Sequence, residues 1–175
     1  MFFCYLQSGE CMKFKPGDLV YYGETGVCRV EDIAVKAMPN GDVECYKLAP
    51  VYQSCAIFTP IQNECVNIRS IISADDAERL IGLIPSLKPE VCTLVNPRAL
   101  TERYTAVLKS GESDKLLELI CSIYIKRTDC IEKKKKLSAV DERFLKKAED
   151  LLFGELAAAL DTDRHHIYDR VDALL

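Results

Sequence analysis

The 175-residue sequence has no tryptophan, only two histidines and no long apolar run. His165 and His166 are adjacent, and neighbouring helix positions do not face one ligand, so we expect them on the surface of the last helix rather than at a metal. No segment reaches the ~18–20 apolar residues of a membrane-spanning helix. The first residues also lack the basic segment of a signal peptide. We therefore expect a cytoplasmic protein that does not enter a membrane.

The sequence also lacks the close cysteine pairs of metal sites, although it has nine cysteines. Structural zinc usually takes two ligands from a C-x-x-C pair. A disulfide framework is typical of exported proteins. We expect reduced and mostly buried thiols, no metal and no cofactor, with a redox role as the alternative. The cysteines are Cys4, Cys11, Cys28, Cys45, Cys55, Cys65, Cys92, Cys121 and Cys130.

Motifs of catalysis are missing as well. The sequence has no G-x-x-x-x-G-K-[ST], no G-x-G-x-x-G, no H-E-x-x-H and no G-x-S-x-G. We therefore expect that the protein is not an enzyme. The net charge is −4, from 23 basic and 27 acidic residues, which excludes a globally basic nucleic-acid binder but not a local basic patch.

Residues 12–70 carry the signals of short strands separated by turns. "DLVYY" and "GVCRVEDIAVK" are rich in β-formers and flank the turn "GETG", and Asn40-Gly41 is a strong hairpin signal. Two further runs, "VECYKLAPV" and "CAIFTPI", follow. This spacing predicts a small open β-barrel of the SH3 or Tudor kind. Its strand edges are open to pairing with a partner protein, or the rest of the chain caps them.

Residues 71–175 carry helix signals instead. Ser73 and Ser138 each precede an aspartate by three residues, Asn96 precedes a proline, and Gly111 is a natural helix end. Apolar residues from Val140 to Leu160 recur every three or four positions. The prediction is an α+β protein of two domains, a small barrel followed by an all-α bundle of four or five helices.

Charge is distributed unevenly between these regions. Residues 1–86 carry 7 basic and 11 acidic side chains, whereas residues 126–147 carry 9 basic and 4 acidic ones. The run Lys133-Lys134-Lys135-Lys136 falls at a predicted junction between helices. It is either a surface that contacts phosphates or a solvated loop.

The order of these parts resembles the CarD/CdnL family of bacterial transcription factors. The opening "FKPGDLVYYGETGVCRVEDI" is similar to the family's first module, with Gly17-Asp18, Val20-Tyr21 and Gly26 in the expected places. The same opening occurs in the polymerase-binding module of the transcription-repair coupling helicase. In the late segment, the match is carried by Leu137-Ser138, Glu142-Arg143, Ala148 and Gly154-Glu155-Leu156-Ala157. The resemblance covers residues 12–160.

The resemblance implies a function for each part. The Tudor-like module is expected to bind the RNA polymerase β subunit, with contacts from Lys36, which aligns with a basic contact of the family, and from Val35, Tyr46 and Phe58. The helical domain is expected to reach promoter DNA at the upstream edge of the bubble, through the minor groove and backbone with little sequence specificity, and to stabilise the open complex. We expect a monomer.

The resemblance also implies a DNA wedge, and here the sequence departs from the family. Leu100 occupies the position of the family's tryptophan, in the stretch Leu100-Thr101-Glu102-Arg103-Tyr104. Leucine wedges occur in minor-groove binders, although leucine is smaller and lacks an aromatic face. The alternative for Leu100 is a core position on the helix that follows Asn96. Tyr104 is expected to pack or to orient the helix rather than to contact DNA. Arg98, Arg103 and Lys133 to Lys136 are the candidate phosphate contacts.

Two functions therefore stay open. The first is a transcription regulator that contacts polymerase and DNA together. The second is a protein-interaction adaptor on polymerase with weak or no DNA binding, which the missing tryptophan and the acidic balance favour. Residues 1–11 precede the usual family start near Met12, and we expect this extension to be an annotation artefact or loosely docked.

Overall fold

Antiparallel strands build one five-stranded sheet in the first part of the chain, in the order β4-β3-β2-β1-β5. The computed structural model describes residues 14–38, 41–61, 68–92 and 96–175. The extension at residues 1–11, Asn40 and three cysteines (Cys4, Cys11 and Cys65) lie outside the described residues. The strands are β1 Leu19–Tyr22, β2 Gly26–Met38, β3 Gly41–Pro50, β4 Ile57–Pro60 and β5 Ile68–Ser70.

The longest strands form the predicted hairpin. β2 and β3 pair from Cys28↔Pro50 to Met38↔Gly41. Gly41 has a φ of 118°, a conformation that L side chains rarely adopt. β4 and β5 stand at opposite ends of the strand order, and no pairing joins them within the described residues. The α+β class is therefore confirmed, and the sheet is open within the described residues.

The helices are α1 Ala74–Leu83, α2 Pro97–Ser110, α3 Ser113–Glu132, α4 Ala139–Ala159 and α5 Arg164–Asp172. The predicted caps are confirmed: the side chains of Ser73, Asn96 and Ser138 accept hydrogen bonds from backbone N–H groups of the first turns. Gly111 ends α2 with a φ of 63°. No helix in the described ranges is long and apolar enough to cross a membrane.

Two apolar clusters meet at β1. Val20 packs inside the sheet with Cys28, Val30, Tyr46 and Leu48. The next residue, Tyr21, points to the other face and joins the helical core, because side chains alternate along a strand. The sheet therefore packs directly on the helices. The six described cysteines are free thiols; Cys28, Cys45, Cys92 and Cys121 are buried, Cys130 is half-buried and Cys55 is exposed. Most of the described thiols are therefore buried, as predicted.

Candidate functional site

A pair of the predicted polymerase contacts lies together on the outer face of the sheet. The Nζ atom of Lys36 lies 4.0 Å from the centroid of the Phe58 ring, within the range of a cation–π contact. The ring is 43% exposed and belongs to β4, an end strand of the sheet. Lys47 pairs with Phe58 across the strands and so shares this face. We call Lys36, Lys47 and Phe58 the edge patch.

A β-bulge decides which β2 residues reach this face. The register of β2 against β3 shifts between Val30 and Asp32, so Glu31 is the extra residue. A bulge moves every later side chain of the strand to the opposite face. Without it, Lys36 would share the inner face with Val30. The bulge therefore places Lys36 outside.

The other two predicted polymerase contacts lie elsewhere. Val35 is 63% exposed but points to the inner side of the sheet, opposite Lys36. Tyr46 is 2% exposed, and its hydroxyl accepts a hydrogen bond from the Phe14 N–H at 3.0 Å. Tyr46 is thus a core residue of the sheet, and neither residue belongs to the edge patch.

Lys47 was not among the predicted contacts. Its Nζ atom forms an ion pair with Glu31 at 2.8 Å, and the hydrogen bond and charge of Glu31 raise the pKa of Lys47. The period-2 pattern of β3 could have placed it, because Lys47 directly follows Tyr46 and therefore faces outward when Tyr46 faces inward. The edge patch is an aromatic ring flanked by two cations.

The predicted DNA contacts lie on the helices and at a junction between them. Arg98 is exposed at the start of α2 and forms an ion pair with Glu102 at 3.2 Å. Arg103 is also exposed. Glu102 therefore neutralises part of the charge that this helix presents.

The lysine run forms the tight junction between α3 and α4. Lys133 ends α3 and forms an ion pair with Asp129 at 2.6 Å. Lys134 has a φ of 54°, and backbone hydrogen bonds from Lys134 and Lys135 return to α3. All four lysines are exposed, and in the part of the chain that the structure describes Lys134, Lys135 and Lys136 have no ion-pair partner. We call Lys133 to Lys136 the lysine junction.

A groove of about 340 Å³ brings the lysine junction next to the start of α2. Its lining includes Lys136, Leu137, Val140, Pro97 and Leu100. Leu100 is 4% exposed and belongs to the helical core. The side chain predicted to be the wedge therefore lines an apolar groove from the helical core and does not project from the surface.

A buried carboxylate organises this end of the helices. Asp141 accepts hydrogen bonds from the Tyr104 hydroxyl at 2.8 Å, the Ser138 hydroxyl at 2.7 Å and Lys126 Nζ at 2.9 Å. Burial raises the pKa of Asp141, but the hydrogen bonds from Ser138, Lys126 and Tyr104 outweigh burial and lower it. Tyr104 is 2% exposed and packs in the helical core, one of the two roles predicted for it.

The sheet and the helices are joined by contacts that we call the seam, formed by Tyr21, Arg69, Tyr52, Gly154 and Glu155. Glu155 is fully buried in α4 and is paired with Arg69 of β5. The Tyr52 hydroxyl donates to the Gly154 carbonyl at 3.0 Å. A Cβ atom at Gly154 would lie 2.9 Å from the Tyr52 ring, so glycine permits this approach.

Sequence reasoning missed the seam as a functional feature, although a signal was present. Glu155 is the only charged residue in the run "LLFGELAAAL". A single acid within an apolar helical run indicates a buried carboxylate, which requires a partner. The partner itself could not be inferred, because Arg69 lies 86 residues away.

Comparison with known protein families identifies the sheet. Residues 14–72 match the family model of the CarD-like/TRCF RID domain. The match covers all five strands and ends before α1. The N-terminal part of this chain is therefore a CarD-like/TRCF RID module, a class of RNA polymerase-interacting domain.

Proposed function

Because residues 14–72 form a CarD-like/TRCF RID module, we propose that this chain is a non-catalytic transcription regulator. It binds the RNA polymerase β subunit through the sheet and contacts promoter DNA through the helices. By holding DNA near the upstream edge of the bubble, it stabilises the open complex. The match of the module to a polymerase-interacting domain is the observation that carries the proposal.

The edge patch is the proposed polymerase contact. Phe58 lies on an end strand, where a partner strand can extend the sheet, and an aromatic residue there supplies apolar contact area. Lys36 flanks the ring and favours an acidic partner surface, whereas Lys47 is already paired with Glu31. Val35 lies on the opposite face and Tyr46 in the core, so the proposed contact rests on Lys36, Lys47 and Phe58.

Phosphate contacts carry the proposed DNA binding. Lys136 of the lysine junction lines the groove together with Pro97, which precedes Arg98 in α2, and Lys134 to Lys136 are exposed cations. Since Leu100 is buried, the affinity for DNA comes from charge and depends strongly on salt. Contacts of this kind position a protein on the duplex without reading base sequence.

The adaptor function is the second candidate, and two observations favour it. Arg98 and Lys133 are each paired with a carboxylate of their own helix, Glu102 and Asp129. Leu100 does not project as a wedge. In this alternative the chain binds polymerase and has weak or no affinity for DNA.

The affinity of edge-patch variants for the polymerase β subunit tests the proposal. Lys36→Glu and Phe58→Ala should each weaken binding to the isolated β subunit about tenfold, because one reverses a contact charge and the other removes the ring. Biolayer interferometry at fixed salt measures the affinity. Lys109→Glu, a charge reversal on exposed α2, is the matched control and should bind as the wild type does. Full affinity in both edge variants would contradict this interface.

A further inference from the structure

The seam holds the proposed polymerase-binding and DNA-binding surfaces in one arrangement. We propose that Arg69 and Glu155 are a positioning pair that fixes the helices relative to the sheet, so that the lysine junction meets DNA at one place on the polymerase. This inference rests on the proposed function and assigns part of it to residues that contact neither partner.

Glu155 accepts hydrogen bonds from three separate segments. Its buried carboxylate accepts hydrogen bonds from Arg69 Nη2 at 3.0 Å, from the Ser113 hydroxyl at 2.8 Å and from the Ile72 N–H at 3.1 Å. These donors belong to β5, the start of α3 and the link into α1. A buried carboxylate without such donors is costly. The carboxylate is therefore satisfied only when the sheet and α4 keep this relation.

Arg69 fixes the same relation from the side of the sheet. Its Nη2 and Nε atoms donate to the Gly111 carbonyl at 2.6 and 3.2 Å, at the turn between α2 and α3. The guanidinium carbon lies 4.2 Å from the centroid of the Tyr21 ring. Only the planar guanidinium group of arginine can donate to a carboxylate and a carbonyl and stack on a ring at the same time. A lysine would retain the charge but lose most of these bonds.

The geometry indicates that the Arg69–Glu155 pair fixes the orientation of the helices more than it stabilises the fold. Buried ion pairs contribute little net stability, because desolvation offsets much of the attraction, but they restrict geometry when every bond is satisfied. Apolar contacts such as Gly26 against Leu151 hold the sheet on the helices independently of the pair. The Tyr21 hydroxyl is buried with no hydrogen-bond partner among the described residues, which is consistent with a ring held in place for Arg69.

The test uses Glu155→Gln in the full chain. Bio-orthogonal fluorophores at the exposed positions Asp42 and Lys109 report the distance between sheet and helices by single-molecule energy transfer. Glu78→Gln is the matched control, because it breaks the Arg170–Glu78 pair, which lies entirely within the helices. Affinity for the β subunit and the lifetime of a promoter open complex are measured with unlabelled protein.

We expect the distance distribution to broaden in Glu155→Gln and to stay narrow in Glu78→Gln. Affinity for the β subunit should stay within about twofold of wild type, while the open-complex lifetime should fall at least about threefold. If Glu155→Gln does not fold, Arg69→Lys provides the same measurements and should broaden the distribution less.

Two results would overturn the positioning pair. One is an unchanged distance distribution in both Glu155→Gln and Arg69→Lys. The other is a broadened distribution with an open-complex lifetime equal to that of the wild type. Failure of the proposed function looks different: the wild-type chain itself would then leave the lifetime unchanged, whatever the seam variants do to the distance.

Discussion

The carboxylate of Asp141 receives hydrogen bonds from three side chains in the interior of the helices, one of them the charged Lys126. These bonds favour the ionised form and hold the pKa of Asp141 below its usual value of 3.8, although burial acts in the opposite direction. Because the folded pKa is lowered, the stabilisation is fully present above pH 3.8. It is lost as the pH falls through the folded pKa.

Asp141→Asn should therefore change both the stability and its pH dependence. At pH 7 we expect the free energy of unfolding to fall by about 2–3 kcal/mol, because charge-assisted bonds are lost and Lys126 is left unpaired. Below pH 4, the variant should lose less further stability than the wild type. Urea unfolding between pH 7 and pH 3 measures both effects.

The control for that series is Asp129→Asn. Asp129 is paired with Lys133 in solvent, and exposed pairs contribute at most about 1 kcal/mol. Its unfolding curves should follow those of the wild type. Parallel acid-induced losses in Asp141→Asn and the wild type would show that the Asp141 carboxylate does not carry this dependence.

At the scale of elements, the local signals in the sequence predicted the structure well. Caps at Ser73, Asn96 and Ser138 depend on residues a few positions apart, so each could be inferred from sequence. Which side of the sheet each β2 residue faces could not be inferred, because the bulge at Glu31 is set by pairing with β3. The burial of Leu100 likewise results from packing between helices. The last helix begins at Arg164, with Asp163 as its cap.

The lysine junction connects two helices, and its prediction concerns the salt dependence of DNA binding. Replacing Lys134, Lys135 and Lys136 with Gln should weaken binding to an upstream-fork DNA. The slope of log affinity against log salt should fall by about two to three, since each phosphate contact contributes about 0.9. Electrophoretic mobility shifts across a salt series measure both quantities. The control is Lys115→Gln, which removes a paired cation on α3. Unchanged affinity and salt slope in the triple variant would favour the adaptor function.

At the scale of the whole molecule, the seam joins the late helical segment to the sheet. Gly154 permits the approach of Tyr52, and Glu155 binds Arg69. Gly154 and Glu155 therefore join the helices to the sheet. Their partners could not be predicted from the sequence, because Tyr52 and Arg69 are distant along the chain. The predicted domain boundary near residue 70 therefore lies between two segments that pack against each other at the seam.

The central claim is that polymerase binding and DNA binding act together through one chain. The lifetime of a promoter open complex, measured with polymerase after addition of a competitor, tests it most directly. The wild type should lengthen this lifetime severalfold, and Lys36→Glu and the triple lysine variant should each remove most of the gain, whereas Lys109→Glu should retain it. A wild-type chain that binds polymerase but leaves the lifetime unchanged would contradict the claim.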